Sequence, residues 1–101
     1  MTNIEFVRDR VPIEEVLAQL AEEAAELGKA ALKLRRAIDG TNPTPVTIVQ
    51  ASENLTEEIA DVLLCLEVIE FDLDDIEALR LAMNAKLQRW VNRLLEVEME
   101  E

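Results

Sequence analysis

Histidine and tyrosine are absent from this chain, and among 101 residues there are one cysteine, two glycines, three prolines and only three aromatic side chains, two Phe and one Trp. Without histidine the commonest general base near neutral pH is missing, and so is the commonest transition-metal ligand. Zinc chemistry built on His and Cys is thereby excluded. A lone cysteine, Cys65, cannot form an intrachain disulfide and fits a reducing cytosol. Positive charge is also scarce: ten Lys and Arg stand against 22 Asp and Glu, a net charge of −12. That balance excludes sequence-independent binding to nucleic acid, which depends on cations meeting phosphates, and adhesion to anionic membranes. No apolar run approaches membrane-spanning length. The charged stretch Met1 to Arg10 lacks the apolar core of a signal peptide. A cytoplasmic location is expected.

Half of the residues are hydrophobic, and Ala, Leu and Glu dominate, a composition that points to an all-α protein. The length suits a single domain over residues 1–101 but is marginal for a large core, so homo-oligomerisation is expected to complete it. Thr2-Asn3-Ile4-Glu5 reads as a capping box opening a short helix through about Arg8. Pro12 suits a first helical position, and the pattern then runs to Ile38, with Asp39-Gly40 as a stop. Thr41 to Val46, with two prolines, is the one convincing loop. Thr47 to Gln50 forms a second capping box for a helix ending near Phe71. Asp74 to Glu77 caps a last helix to about Glu96, followed by a frayed acidic tail. The expected architecture is an antiparallel helical bundle of three long helices plus a short N-terminal one.

Two acidic words carry the chemistry: Glu22-Glu23-Ala24-Ala25-Glu26 and Glu57-Glu58-Ile59-Ala60-Asp61. At about 100° per residue, Glu23 and Glu26 share a helix face, and Glu23 lies at the margin of an apolar stripe formed by Leu20, Ala24, Leu27, Ala31 and Leu34. In the second helix Ser52, Thr56, Glu67 and Glu70 form the polar stripe. Glu58 and Asp61 point the other way, among Val62, Cys65, Val68 and Ile69, on a face shielded from water. One such word alone is ordinarily a solvated face supported by i,i+4 pairs with Lys29 or Lys33. A matched second word on an apolar face is different, because carboxylates are costly to desolvate unless paired or bound to a cation. In antiparallel helices Glu23, Glu26, Glu58 and Asp61 can converge. Neighbouring carboxylates raise one another's pKa, and Mg²⁺ or Mn²⁺ would relieve the repulsion through oxygen ligation. Glu22 and Glu57 are secondary candidates: extra ligands, supports behind the ligands, or the base that orients water.

Glu23-x-x-Glu26 followed by Glu58-x-x-Asp61 resembles the signature of the MazG-like all-α nucleoside triphosphate pyrophosphohydrolases, whose relatives include dimeric dUTP, dCTP and phosphoribosyl-ATP pyrophosphohydrolases. The resemblance extends over nearly the whole chain, to the Lys86-Leu87-Gln88-Arg89-Trp90 segment. It implies that the four acids bind Mg²⁺ carrying a triphosphate, that water attack releases pyrophosphate and a nucleoside monophosphate, and that the bundle is a homodimer or homotetramer. The loop Asn42-Pro43-Thr44-Pro45 departs from the pattern, so pocket shape does not transfer. The missing histidine sets the phosphoribosyl-ATP branch apart.

Lys86, Arg89 and Arg93 share one face of the last helix. The resemblance implies that Lys86 and Arg89 meet phosphate oxygens; a solvated face is the plainer alternative, and the preferred one for Arg93. Asn84 is a candidate to read a base edge, with a plain exposed Asn as the alternative, and Lys33 a candidate to reach phosphates, with pairing to nearby acids as the alternative. Trp90 and Phe71 read as core in preference to base-stacking platforms, and Cys65 as a small core residue. Two competing readings stand beside the hydrolase: a non-catalytic helical interaction protein whose acids form interhelical salt bridges, and a hydrolase of another pyrophosphate-containing metabolite.

Overall fold

Local chemistry sets the helix boundaries. Thr2 Oγ1 accepts from the Glu5 N–H and Glu5 Oε2 accepts from the Thr2 N–H, both at 3.1 Å, and this capping box opens α1 (Asn3–Arg10). The computed structural model describes residues 1–43, 45–69 and 73–100. They form α1, α2 (Ile13–Asp39), α3 (Ile48–Ile69) and α4 (Leu73–Glu100). Pro12 is the N-cap of α2 and not its first helical residue. Its ψ of 147° is extended, so helical backbone starts at Ile13 while the Pro12 carbonyl accepts from Glu15 and Val16.

The end of α2 needs Gly40, which adopts φ 76° in the left-handed region and places the Thr41 N–H 2.9 Å from the Arg36 carbonyl. Asn42 extends the cap: its Nδ2 donates to the Lys33 carbonyl at 3.2 Å, and its Oδ1 accepts from Arg36 Nε at 3.1 Å. A Cβ at Gly40 would meet nothing within 4 Å. The cost of Gly40→Ala is therefore backbone strain alone, and urea unfolding should show a loss of about 1 kcal/mol.

Thr47 and Gln50 form the second capping box, again at 3.1 Å in both directions. The expected end of this helix at Phe71, the placement of Phe71 in a core, and Glu70 and Thr44 all lie outside the described residues. α4 differs from expectation at both ends. It begins at Leu73, so Asp74 lies within it instead of before it, and it continues past Glu96 to Glu100. No glycine or proline interrupts the segment, and Leu, Glu, Val and Met sustain a helix to its end.

α2 packs on α3, and α1 on α3. The buried side chains are Val16 and Ala30 of α2 and Ala51, Cys65 and Val68 of α3. Adding the half-buried positions produces the same spacing in both long helices. Val16, Leu20, Glu23, Leu27, Ala30 and Leu34 recur at steps of four and three, as do Ala51, Leu55, Glu58, Val62, Cys65 and Ile69. Such a narrow seam is what one helix presents to one neighbour. It corrects the expected stripe: Ala24 and Ala31 are exposed, Ala30 is buried in their place, and Glu23 stands in the seam and not at its margin.

Arg8 ties α1 to α3. Its Nε donates to the Val68 carbonyl at 3.1 Å and its Nη2 to the Glu67 carbonyl at 3.0 Å. A cation thus meets carbonyls of the closing turn of α3, the end at which the helix dipole favours positive charge.

By its contacts the chain divides into two compact units, Met1–Glu70 and Phe71–Glu101. Among the described residues no large side chain is completely buried. Trp90, expected in a core, is 61% exposed. No helix is long and apolar enough to cross a membrane among the described residues.

Candidate functional site

The third position of each seam is a glutamate. Where α2 meets α3, Glu23, Glu58 and Asp61 each bring a carboxylate oxygen within 4.8 Å of the other two. Glu23 and Glu58 are half-buried because they occupy seam positions, whereas Asp61, one turn on from Glu58, is exposed. The group is thus open on one side, contrary to the expected shielded face, and among the described residues no charged side chain is fully buried. The reason is geometric. From Glu58 the seam steps by four to Val62, so Asp61, one residue short of Val62, emerges at the rim.

Glu58 carries the tension of this arrangement. Its Oε2 is buried without a hydrogen-bond partner. Desolvation first, then the charge of Asp61, followed by Glu23, Glu26 and Glu57, raises its pKa above the ordinary carboxylate value. Among the described residues no cation pairs with Glu23, Glu58 or Asp61. Oxygens sharing one Mg²⁺ at about 2.1 Å lie about 3 Å apart along an octahedral edge and about 4.2 Å apart across it. A spread bounded by 4.8 Å needs only small side-chain rotations to match. The donor set is all oxygen, which suits a hard cation such as Mg²⁺ or Mn²⁺, and the residues fit the ion.

The last acid of the first word stands apart. Glu26 is exposed, and its Oε1 faces Lys29 Nζ at 3.4 Å. It lies outside the group of three, although its charge still acts on Glu58. Glu22 and Glu57 are exposed beside their neighbours.

Gln19 is a site residue that the sequence pattern did not single out. Its Nε2 donates to Glu23 Oε1 at 2.7 Å, holding the Glu23 carboxylate in place. Its one signal was its position a turn before Glu23. Gln19 also borders a groove lined by Val7, Val11, Val16, Leu64 and Val68, with Cys65 and Glu15. Burial, then Glu23 and Asp61, pushes the Cys65 thiol up. A thiol held protonated is a small core side chain and no nucleophile.

Of the expected substrate contacts, Lys33 lies ten residues past Glu23, about 15 Å along the axis. There it borders a hollow with Arg36, Asn42, Pro43 and Val46 at the end of α2. Asn84, Lys86 and Arg89 are exposed on α4.

Compared with family models, curated proteins and solved structures, the chain matches none.

Proposed function

We propose that this chain is a Mg²⁺-dependent nucleoside triphosphate pyrophosphohydrolase of MazG-like type. It would hydrolyse an NTP or dNTP to the monophosphate and pyrophosphate in cytoplasmic nucleotide-pool house-cleaning, as a homodimer or homotetramer. One observation carries the reading: two glutamates replace apolar residues at equivalent points of facing seams, and one of their oxygens is buried with no partner. Side chains in such positions are ordinarily apolar. The lining of the groove, which joins Val16 and Gln19 near the start of α2 with Leu64 and Val68 near the end of α3, supports the antiparallel arrangement on which the convergence depends.

Glu23, Glu58 and Asp61 would hold the ion, with Glu26 as a fourth acid once released from Lys29. Bound there, Mg²⁺ supplies charge neutralisation for a triphosphate and a lowered pKa for water. Everything else falls to the chain. Gln19 fixes Glu23. The apolar groove beside Gln19 offers a surface for the flat face of a base, with the Glu15 carboxylate at its rim. Glu22 and Glu57, exposed beside the ligands, would orient water. Phosphoryl transfer asks a protein chiefly for such positioning and charge, so the lack of histidine is no obstacle. Exposed Leu17, Leu32, Leu63 and Leu64, each at least half exposed, support self-association.

The salt-bridged scaffold is less favoured, because it requires cations beside Glu23, Glu58 and Asp61. Pyrophosphate release across a panel of canonical and damaged NTPs and dNTPs with Mg²⁺ tests the reading. One or more should yield monophosphate and pyrophosphate in equal amounts; release from none of them would overturn it.

A further inference from the structure

The apolar side chains of α4 follow a seam of their own. Ile76, Leu79, Met83, Leu87, Trp90, Leu94 and Val97 lie on one face at steps of three and four. From Met83 onward the steps alternate strictly, four then three. The five residues from Met83 to Val97 are each more than half exposed. A strict alternation of this kind is the pattern by which one helix packs along another of the same kind, and helical segments draw most of their stability from covering such a face.

The flanking charges choose the partner and its direction. Lys86 and Arg93 border the seam on one side; Asn84, Val91 and Glu98 border it on the other. In a parallel pair in register, a residue on the first flank meets the partner residue five positions further on. Arg93 of one copy then meets Glu98 of the partner subunit twice over, by symmetry, and Lys86 meets the apolar Val91 of the partner subunit. An antiparallel pair centred on the seam brings like flanks together, placing Lys86 against Arg93 of the partner subunit. Parallel pairing gains two ion pairs where antiparallel pairing gains only repulsion. In a chain of net charge −12, the central seam is also where cations gather, so this is a place where two acidic copies can approach.

We propose that α4 is a self-association surface: two copies of the chain pair in parallel along the seam from Met83 to Val97, with Arg93 against Glu98 of the partner subunit. This deepens the oligomeric part of the reading above and assigns it a surface, and it stands on α4 alone.

The experiment is sedimentation equilibrium of the full chain and of Arg93→Glu, Glu98→Arg and the double variant. The wild type should dimerise. Each single reversal turns two attractive contacts repulsive and should weaken dimerisation roughly tenfold, and the double reversal should restore it. As a second measurement, Leu94→Cys in a Cys65→Ala background should oxidise to a disulfide-linked dimer, because parallel register brings the two positions together. A monomeric wild type, a dimer indifferent to either reversal, or a dimer in which position 94 fails to cross-link would overturn the proposal. Cation-induced thermal stabilisation, measured on the same reversal variants, reports the acidic centre separately. Its retention alongside failed dimerisation separates the loss of this surface from the loss of the metal reading.

Discussion

Glu58→Gln and Glu23→Gln should each reduce Mg²⁺-dependent pyrophosphate release by roughly a hundredfold or more, while circular dichroism should show the helices intact. An ion that neutralises phosphate charge contributes several kcal/mol to the transition state, and each 1.36 kcal/mol is a factor of ten in rate. Both residues occupy seam positions whose neighbours are apolar, so the neutral amide fills the same space with less desolvation cost. Glu26→Gln is the informative comparison. Glu26 is exposed and held by Lys29 at 3.4 Å, and its substitution should cost activity only as far as it leaves Lys29 to join the ion. Equal activity in wild type and Glu58→Gln would remove Glu58 from the chemistry.

The second large effect concerns stability without metal. The folded state holds the Glu58 proton to higher pH than the unfolded chain does, through burial and four neighbouring acids. Below the ordinary carboxylate value both states are protonated, and the group's contribution is fully present. As pH rises from there through the raised folded value, the unfolded chain ionises freely while the folded protein must charge a buried oxygen, so stability falls. The metal-free wild type should lose melting temperature across that window. Glu58→Gln should lose less, and the gap between the two should widen toward neutral pH in favour of the variant. Comparing the pair cancels the repulsion of the overall −12 charge, which acts on both alike. A salt-bridged scaffold predicts the opposite sign, because removing Glu58 would strand a buried cation.

The features legible in the sequence were local. Thr2 with Glu5 and Thr47 with Gln50 cap their helices within a single turn, and Gly40 supplies the one backbone conformation a C-terminal stop needs. The acidic centre was legible in outline because two glutamates interrupt apolar periodicities, an anomaly visible without coordinates. What was not legible depended on the neighbour. Whether Glu23 stood in the seam or at its margin turned on the difference between a repeat of 3.5 and one of 3.6, which only a packed partner resolves. Asp61 proved exposed because it falls one residue short of the seam position at Val62. Arg8 reaches carbonyls some sixty residues away in sequence, and no local pattern announces it. Trp90 read as core on hydrophobicity alone, yet its place in the α4 seam makes its burial a question of what that seam meets.

The most direct measurement is thermal unfolding of the full chain with and without Mg²⁺ or Mn²⁺, repeated for Glu58→Gln. A divalent ion between α2 and α3 predicts a saturable rise in melting temperature for the wild type, larger at neutral pH than under acid conditions, and its loss in the variant. A wild type that neither cation stabilises, or a rise of equal size in Glu58→Gln, would contradict the account.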